Sequence, residues 1–333
     1  MATLKAVGAP LDAQGLQQAL GVLAGGAAEL WAVIAVETSG CGFLPDGRTK
    51  ILFERHVFSR QTAGRFDARH PDISSPNPGG YAGDAGEYAR LKRAVALDRE
   101  AALLATSWGL GQVMGYNAKL AGYPSVGAMV EAFGASESAQ VVGMATFIKS
   151  QGLAAALEAH DWAKFARGYN GPAYRKNSYD TRLAAHYQFL EHGGLPDVTV
   201  RAAQVYLTYL GFDVRGIDGV VGRFTRSALN QFQQAQRLPV SDRVDTATFE
   251  ALKRAAAKIV TPARAAAAGA TVVAVPGVTF GVVVGARVPR KRATRAPARR
   301  PKTKKAKAKA RPAGRPSKPA RKATASARAM RRR

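Results

Sequence analysis

Apolar residues recur at helical spacing over residues 11–24, LDAQGLQQALGVLA, beside an Asp12 placed to cap a helix. The Gly25-Gly26 pair breaks that pattern, and a second helix is expected over roughly 27–37. It ends in an apolar run, Trp31 to Val36, and Glu37 stands where the run gives way to the polar Thr38-Ser39-Gly40. Pro45-Asp46-Gly47 marks a turn, after which Ile51-Leu52-Phe53 reads as a short strand delivering Glu54. Arg55 to Gln61 fits a short helix, and 65–83, RFDARHPDISSPNPGGYAG, is a long Pro/Gly/Ser-rich loop. Loops of that length in compact domains are often functional, and this one is expected to wall a cleft. Glu87 to Ala105 reads as two helices broken near Asp98, 136–159 as one or two helices, and Asn177 to Glu191 as a closing helix. A linker is expected over His192–Asp197. Beyond it, two helices with apolar positions at i, i+3/i+4 flank an Asp218-Gly219 turn. The Ala-rich stretch 255–269 is expected to extend the last helix. Thr271 to Ala286 is apolar but only 16 residues long and contains Pro276, short of the about 20 residues a spanning helix needs. It reads as a flexible linker or a hairpin in preference to a membrane contact.

A length of 333 residues fits two domains plus extra segments. The formal charge of +26 is not spread evenly. Residues 287–333 hold 21 Lys or Arg and no acid, leaving 28 basic against 23 acidic residues elsewhere. The basicity therefore belongs to a tail, which has too little apolar area to offset chain entropy and is expected to be disordered. One cysteine, Cys41, excludes an intrachain disulfide and a multi-cysteine zinc site, and it reads as a small buried residue. His186 and His192 lack metal-ligand spacing, so neither a metal nor any other cofactor is expected. The opening MATLKAVGAPLDAQ lacks an apolar core of signal-peptide length.

Two carboxylates stand out. Glu37 lies between an apolar helix and a polar loop, where partial burial disfavours its charged form and suits a general acid near neutral pH. Glu54 follows within a short span, and its competing role is a structural ion pair with Arg55 or another base. Asp84 and Asp180 are weaker second candidates. Gly42 to Thr49 nearly spells a phosphate-binding loop, but Arg48 replaces the required Lys and Asp46 would repel a phosphate.

The stretch VETSGCGFLPDGRTKILFERHVF resembles the N-acetylmuramidase family of phage endolysins and related cell-wall lytic proteins, through Glu37, Gly40, Gly42-Phe43, Asp46-Gly47-Arg48 and Leu52 to His56. Ser107-Trp108-Gly109-Leu110-Gly111-Gln112-Val113 resembles a stretch of goose-type lysozymes and lytic transglycosylases, and Tyr169-Asn170-Gly171 looks like a cleft segment of the same superfamily. The resemblance implies that Glu37 is the catalytic acid and that Ser107, Gln112, Tyr169 and Asn170 bind substrate. Glycines let a sugar approach the backbone, although this stretch also fits a glycine-rich helix start, and Trp108 suits either sugar stacking or the core. Val200 to Leu252 resembles a three-helix peptidoglycan-binding module, marked by Phe212, Ile217, Asp218, Gly219, Thr225 and Phe232. There Ser241-Asp242-Arg243-Val244-Asp245 departs from the usual D-G-x-x-G.

The expected fold class is mainly α: a lysozyme-like α+β catalytic domain over 1–193, a three-helix peptidoglycan-binding domain over 198–257, an apolar linker over 258–286 and a basic tail over 287–333. The implied activity is cleavage of the β-1,4 bond between N-acetylmuramic acid and N-acetylglucosamine, completed by a second carboxylate, for which Glu54 is the nearest candidate, or by a positioned water. Hydrolysis by retention or inversion, transglycosylation by the sugar's own 6-hydroxyl, and a non-catalytic wall binder all stay open. The implied partners are peptidoglycan and, through the tail, anionic envelope polymers such as lipopolysaccharide or teichoic acid; nucleic acid contact would be non-specific. A monomer is expected, made in the cytoplasm without a signal peptide and acting on the bacterial wall after release or translocation.

Overall fold

A computed structural model describes residues 7–23 and 25–259, all within one compact unit. The expected linker beyond 259, the apolar stretch 271–286 and the basic tail lie outside the described residues.

Helix α1 (Ala13–Leu23) starts where the Asp12 carboxylate accepts the Gly15 N–H at 2.7 Å. Helix α2 (Ala27–Thr38) buries Leu30, Trp31, Ala32, Val33, Ile34 and Val36, so it is a core helix with no wholly polar face. Strand β1 (Ile51–Phe53) leads into α3 (Arg55–Gln61). The break near Asp98 is real: α4 (Glu87–Leu97) ends there, and the Asp98 carboxylate caps α5 (Arg99–Leu104) through the Ala101 N–H.

The glycine-rich stretch 107–115 is not a helix start. It forms an antiparallel hairpin of β2 (Thr106–Trp108) and β3 (Val113–Met114), with β2 in the middle of the sheet. Ile51 faces Trp108 and Phe53 faces Thr106, while Trp108 faces Val113. The Gln140 side chain fixes the hairpin loop by accepting the Leu110 N–H at 2.7 Å. It also lies 2.7 Å from where a Cβ of Gly109 would sit, at φ +69, so only glycine fits there.

Helix α6 (Val126–Ala135) has no counterpart in the sequence reading. After it come α7 (Glu137–Ser150), α8 (Ala154–Glu158), α9 (Trp162–Asn170) and α10 (Tyr179–Gly193). The expected linker shrinks, because α10 continues through Gly193 and Asp197 already caps α11 (Val198–Tyr209). Helices α12 (Arg223–Ala235) and α13 (Thr246–Ala256) complete a three-helix segment. Helix α13 stops at Ala256, short of the Ala-rich extension expected to 269.

Two cores serve the two segments, and a third joins them. Val7, Cys41 and Phe43 pack with Val205, Tyr209 and Ala256, the Phe43 and Tyr209 rings meeting edge-on at 6.4 Å.

Candidate active site

Glu37 sits in the last turn of α2, and Ser39 ends that helix in the left-handed conformation. The helix end is anchored from three sides. Arg182 donates to the Val36 carbonyl at 2.8 Å, Lys50 Nζ to the Thr38 carbonyl at 2.9 Å, and the Thr38 hydroxyl reaches the Leu110 carbonyl at 3.1 Å. Two cations thus meet the negative end of the helix dipole.

The half-buried Glu37 accepts one hydrogen bond, from Asn170 Nδ2 to Oε1 at 2.7 Å. Burial pushes its pKa from 4.5 to about 7, against the Asn170 hydrogen bond and the Arg182 charge, which pull it down. Burial, and then the nearby Glu37 charge, raise the pKa of both Tyr169 and Tyr179, so both phenols stay protonated. The other amide atom, Asn170 Oδ1, is buried without a hydrogen-bond partner.

The hairpin lies beside this centre. Tyr169 donates to the Gly111 carbonyl at 2.6 Å and stacks on Phe165. The Ser107 hydroxyl donates to Gln112 Oε1 at 2.8 Å, and Gln112 Nε2 donates to the Gly109 carbonyl at 2.8 Å. Ser107 and Gln112 therefore hold the hairpin's own shape. Trp108 resolves to the core reading: it is 3% exposed and its indole N–H is bonded to the Leu103 carbonyl.

Glu54 precedes α3, and both its oxygens accept from Tyr81 Oη, at 3.0 and 3.1 Å. His56 Nδ1 lies 3.1 Å from Glu54 Oε2. Arg55 is not its partner, because the guanidinium donates to the Asn77 and Pro78 carbonyls instead and ties the 65–83 loop to α3. Burial and the Glu54 carboxylate raise the Tyr81 pKa to about 12, which keeps the phenol a donor. The fully buried Glu87 sets this arrangement by accepting the Phe53 N–H and the Ala82 and Gly83 N–H groups.

Tyr81, Arg182, Glu87 and Glu137 escaped the sequence reading. Tyr179 and Arg182 stand one turn apart on the closing helix that also carries Asp180, which was the available signal. Cys41 is buried and bonded to the Phe43 carbonyl, and burial pushes its thiol up to about 12, which excludes a nucleophile. No group of three or more potential metal ligands comes together among the described residues.

In the three-helix segment, the buried Gln204 organises the marker residues. Its amide nitrogen donates to Asp218 Oδ1 at 2.8 Å and Thr225 Oγ1 at 3.0 Å, and its oxygen accepts the Asp218 and Gly219 N–H groups. Phe232 is core, with Phe212 edge-on to it at 6.0 Å and Ile217 packed alongside. Gln233 repeats the knot in the second half, bonding Thr248 and the Ser241 hydroxyl and N–H. Ser241 thus does for Gln233 what Asp218 does for Gln204, which accounts for the departing turn sequence.

Residues 26–191 match the N-acetylmuramidase family, and residues 197–252 match the peptidoglycan binding domain family. The crystal structure of the Burkholderia AP3 phage endolysin is 43% identical to this chain, covering 54% of it and 70% of that protein at a TM-score of 0.50. No curated protein matches this chain.

Proposed function

Since the chain belongs to the N-acetylmuramidase family, a family of peptidoglycan-degrading glycoside hydrolases acting on the bacterial cell wall, we propose that Glu37 is its general acid. The carrying observation is the Glu37 carboxyl, with its pKa raised to about 7 and one hydrogen bond from Asn170. A carboxylic acid that keeps its proton near neutrality can protonate the leaving oxygen of the β-1,4 bond between N-acetylmuramic acid and N-acetylglucosamine. The unpartnered Asn170 Oδ1 is an acceptor for a sugar hydroxyl or acetamido N–H, which would hold the ring against the acid. Glu54 is the second carboxylate, held by the Tyr81 hydroxyl, and it activates water or attacks the anomeric carbon.

The peptidoglycan-binding segment retains the enzyme on the wall, and the 21 cations of 287–333 attract anionic envelope polymers in a salt-dependent way. The protein works in the manner of a phage endolysin, as a monomer.

Mass spectrometry of fragments released from purified peptidoglycan tests this reading. Wild type should give fragments with a reducing-end muramic acid, Glu37→Gln none, and Glu54→Gln a much reduced yield. Anhydro-muramic acid products would instead establish transglycosylation by the sugar's own 6-hydroxyl, with Glu54 reduced to a structural role. Equal fragments from Glu37→Gln and wild type would overturn the assignment of the acid.

A further inference from the structure

The peptidoglycan-binding segment reaches into the turn that follows the acid. Arg201, in the first turn of α11, is fully buried and forms a bidentate ion pair with the equally buried Glu137, at 2.6 and 2.9 Å. The same guanidinium donates through Nε to the Gly40 carbonyl at 3.1 Å, and again through an Nη. Glu137 holds the far side of that turn by accepting the Gly42 N–H at 2.8 Å, and it also accepts the Leu11 N–H at 2.9 Å. The three residues Gly40-Cys41-Gly42 are therefore clamped between one arginine and one carboxylate.

Gly40 shows how close the approach is. Its φ is +92, and a Cβ there would lie 2.3 Å from the Ile217 carbonyl oxygen. Tyr209 adds a hydrogen bond from its hydroxyl to the Gly8 carbonyl at 3.0 Å. Burying an arginine this completely is costly unless its donors are used, and here they are shared between the Glu137 carboxylate and the Gly40 carbonyl of the catalytic segment. A planar five-donor fork is the side chain that can serve a carboxylate and a carbonyl at once.

We propose that Arg201 is a positioning residue of the muramidase reaction: the wall-binding segment holds the Gly40–Gly42 turn and so fixes the end of the helix that carries Glu37. This rests on the reading of Glu37 as the acid. Without the clamp the turn would relax, water would reach the carboxyl, and its proton would be lost at lower pH. Asn170 and Tyr169 from α9, Tyr179 and Arg182 from α10, and Lys50 stay around the helix end, so such a change would report the turn.

The test uses the full chain on a short soluble peptidoglycan glycan, so that anchoring to the wall does not enter the rate. Retention on sacculi is measured separately by co-sedimentation. Arg201→Lys keeps a charge beside Glu137 but lacks the fork that reaches Gly40. It should lower kcat by about tenfold or more, with KM changed less than about twofold. The alkaline limb of its pH–rate profile should move to lower pH, and sacculus retention should match wild type. Gly40→Ala attacks the same contact from the other side and should reproduce all four results, and it carries the test if Arg201→Lys does not fold. A folded variant with wild-type kcat and an unmoved limb would overturn the proposal. Glu37→Gln in the same assay separates the two ideas. If it is inactive while Arg201→Lys behaves as wild type, only the positioning role fails. If it is active, the acid is misassigned, and the kcat–KM split alone judges Arg201.

Discussion

Glu37 and Glu137 flank the same turn, both withdrawn from water, yet their acidities move in opposite directions. Burial is the largest influence on each. Glu37 answers it with a single amide hydrogen bond and a more distant Arg182, and its pKa climbs to about 7. Glu137 has the Arg201 fork and two backbone N–H groups, and its pKa falls below the usual carboxylate range. The helices add to the contrast. Glu37 is near the C-terminal end of α2, where the dipole disfavours a negative charge, and Glu137 begins α7, where the dipole favours one. Depth alone does not make a proton donor; a buried carboxyl keeps its proton near neutrality when few hydrogen-bond donors and cations are aimed at it.

The sharpest way to break this contrast is to remove each group in turn. Glu37→Gln should cut the release of reducing ends from peptidoglycan by about 10³-fold while leaving the thermal midpoint unchanged or higher. Glu137→Ala should lower the thermal midpoint, and should lower kcat as well, because it releases one half of the clamp on the Gly40–Gly42 turn. Stranding Arg201 without its partner should cost about 3–5 kcal/mol in urea unfolding. A loss near zero would mean that the pair is not what holds the turn.

Stability against pH separates the two by sign. The folded state holds the Glu37 proton more tightly than the unfolded chain does, so stability falls as pH rises from 4.5 to about 7 and is flat above. Glu137 has the lowered pKa, so its contribution is present above pH 4.5 and fades as pH drops below. Glu37→Gln should therefore gain on wild type across the first window, by at most about 3.5 kcal/mol, since one pKa unit is worth about 1.4 kcal/mol. A difference between the two proteins that does not change with pH would contradict the raised pKa of Glu37.

The smallest effect concerns Asn170. Its hydrogen bond pulls the Glu37 pKa down, so Asn170→Ala should move the alkaline limb of the pH–rate profile upward, by about one unit or less. Movement to lower pH would show that water, and not the loss of a donor, governs the site.

Local pattern made much of this legible. Helix α2 and the carboxylate at its end follow from an apolar run that stops at a polar loop, and α3, α4 and α5 follow from spacing and from Asp98. What escaped was non-local. The hairpin depends on Gln140, which no reading of Ser107 to Gly115 contains. Glu54 and Arg55 are neighbours in the chain but face different partners, because one meets Tyr81 and the other the carbonyls of the 65–83 loop. Arg201 and Glu137 are 64 positions apart, and nothing in either neighbourhood announces the other. The loop expected to wall a cleft does carry Tyr81 to Glu54, but through buried Glu87 and not through its own composition.

The shared core of Val7, Cys41 and Phe43 with Val205, Tyr209 and Ala256 has a mechanical consequence. Two binding sites joined by a slack tether find each other's targets by diffusion, and their joint affinity depends on linker length. Two sites locked through a common apolar seam have one spacing. Such a molecule grips strongly where the glycan mesh offers both contacts at that spacing and weakly everywhere else. Its cutting sites are then chosen by the geometry of the mesh, as a caliper selects by width.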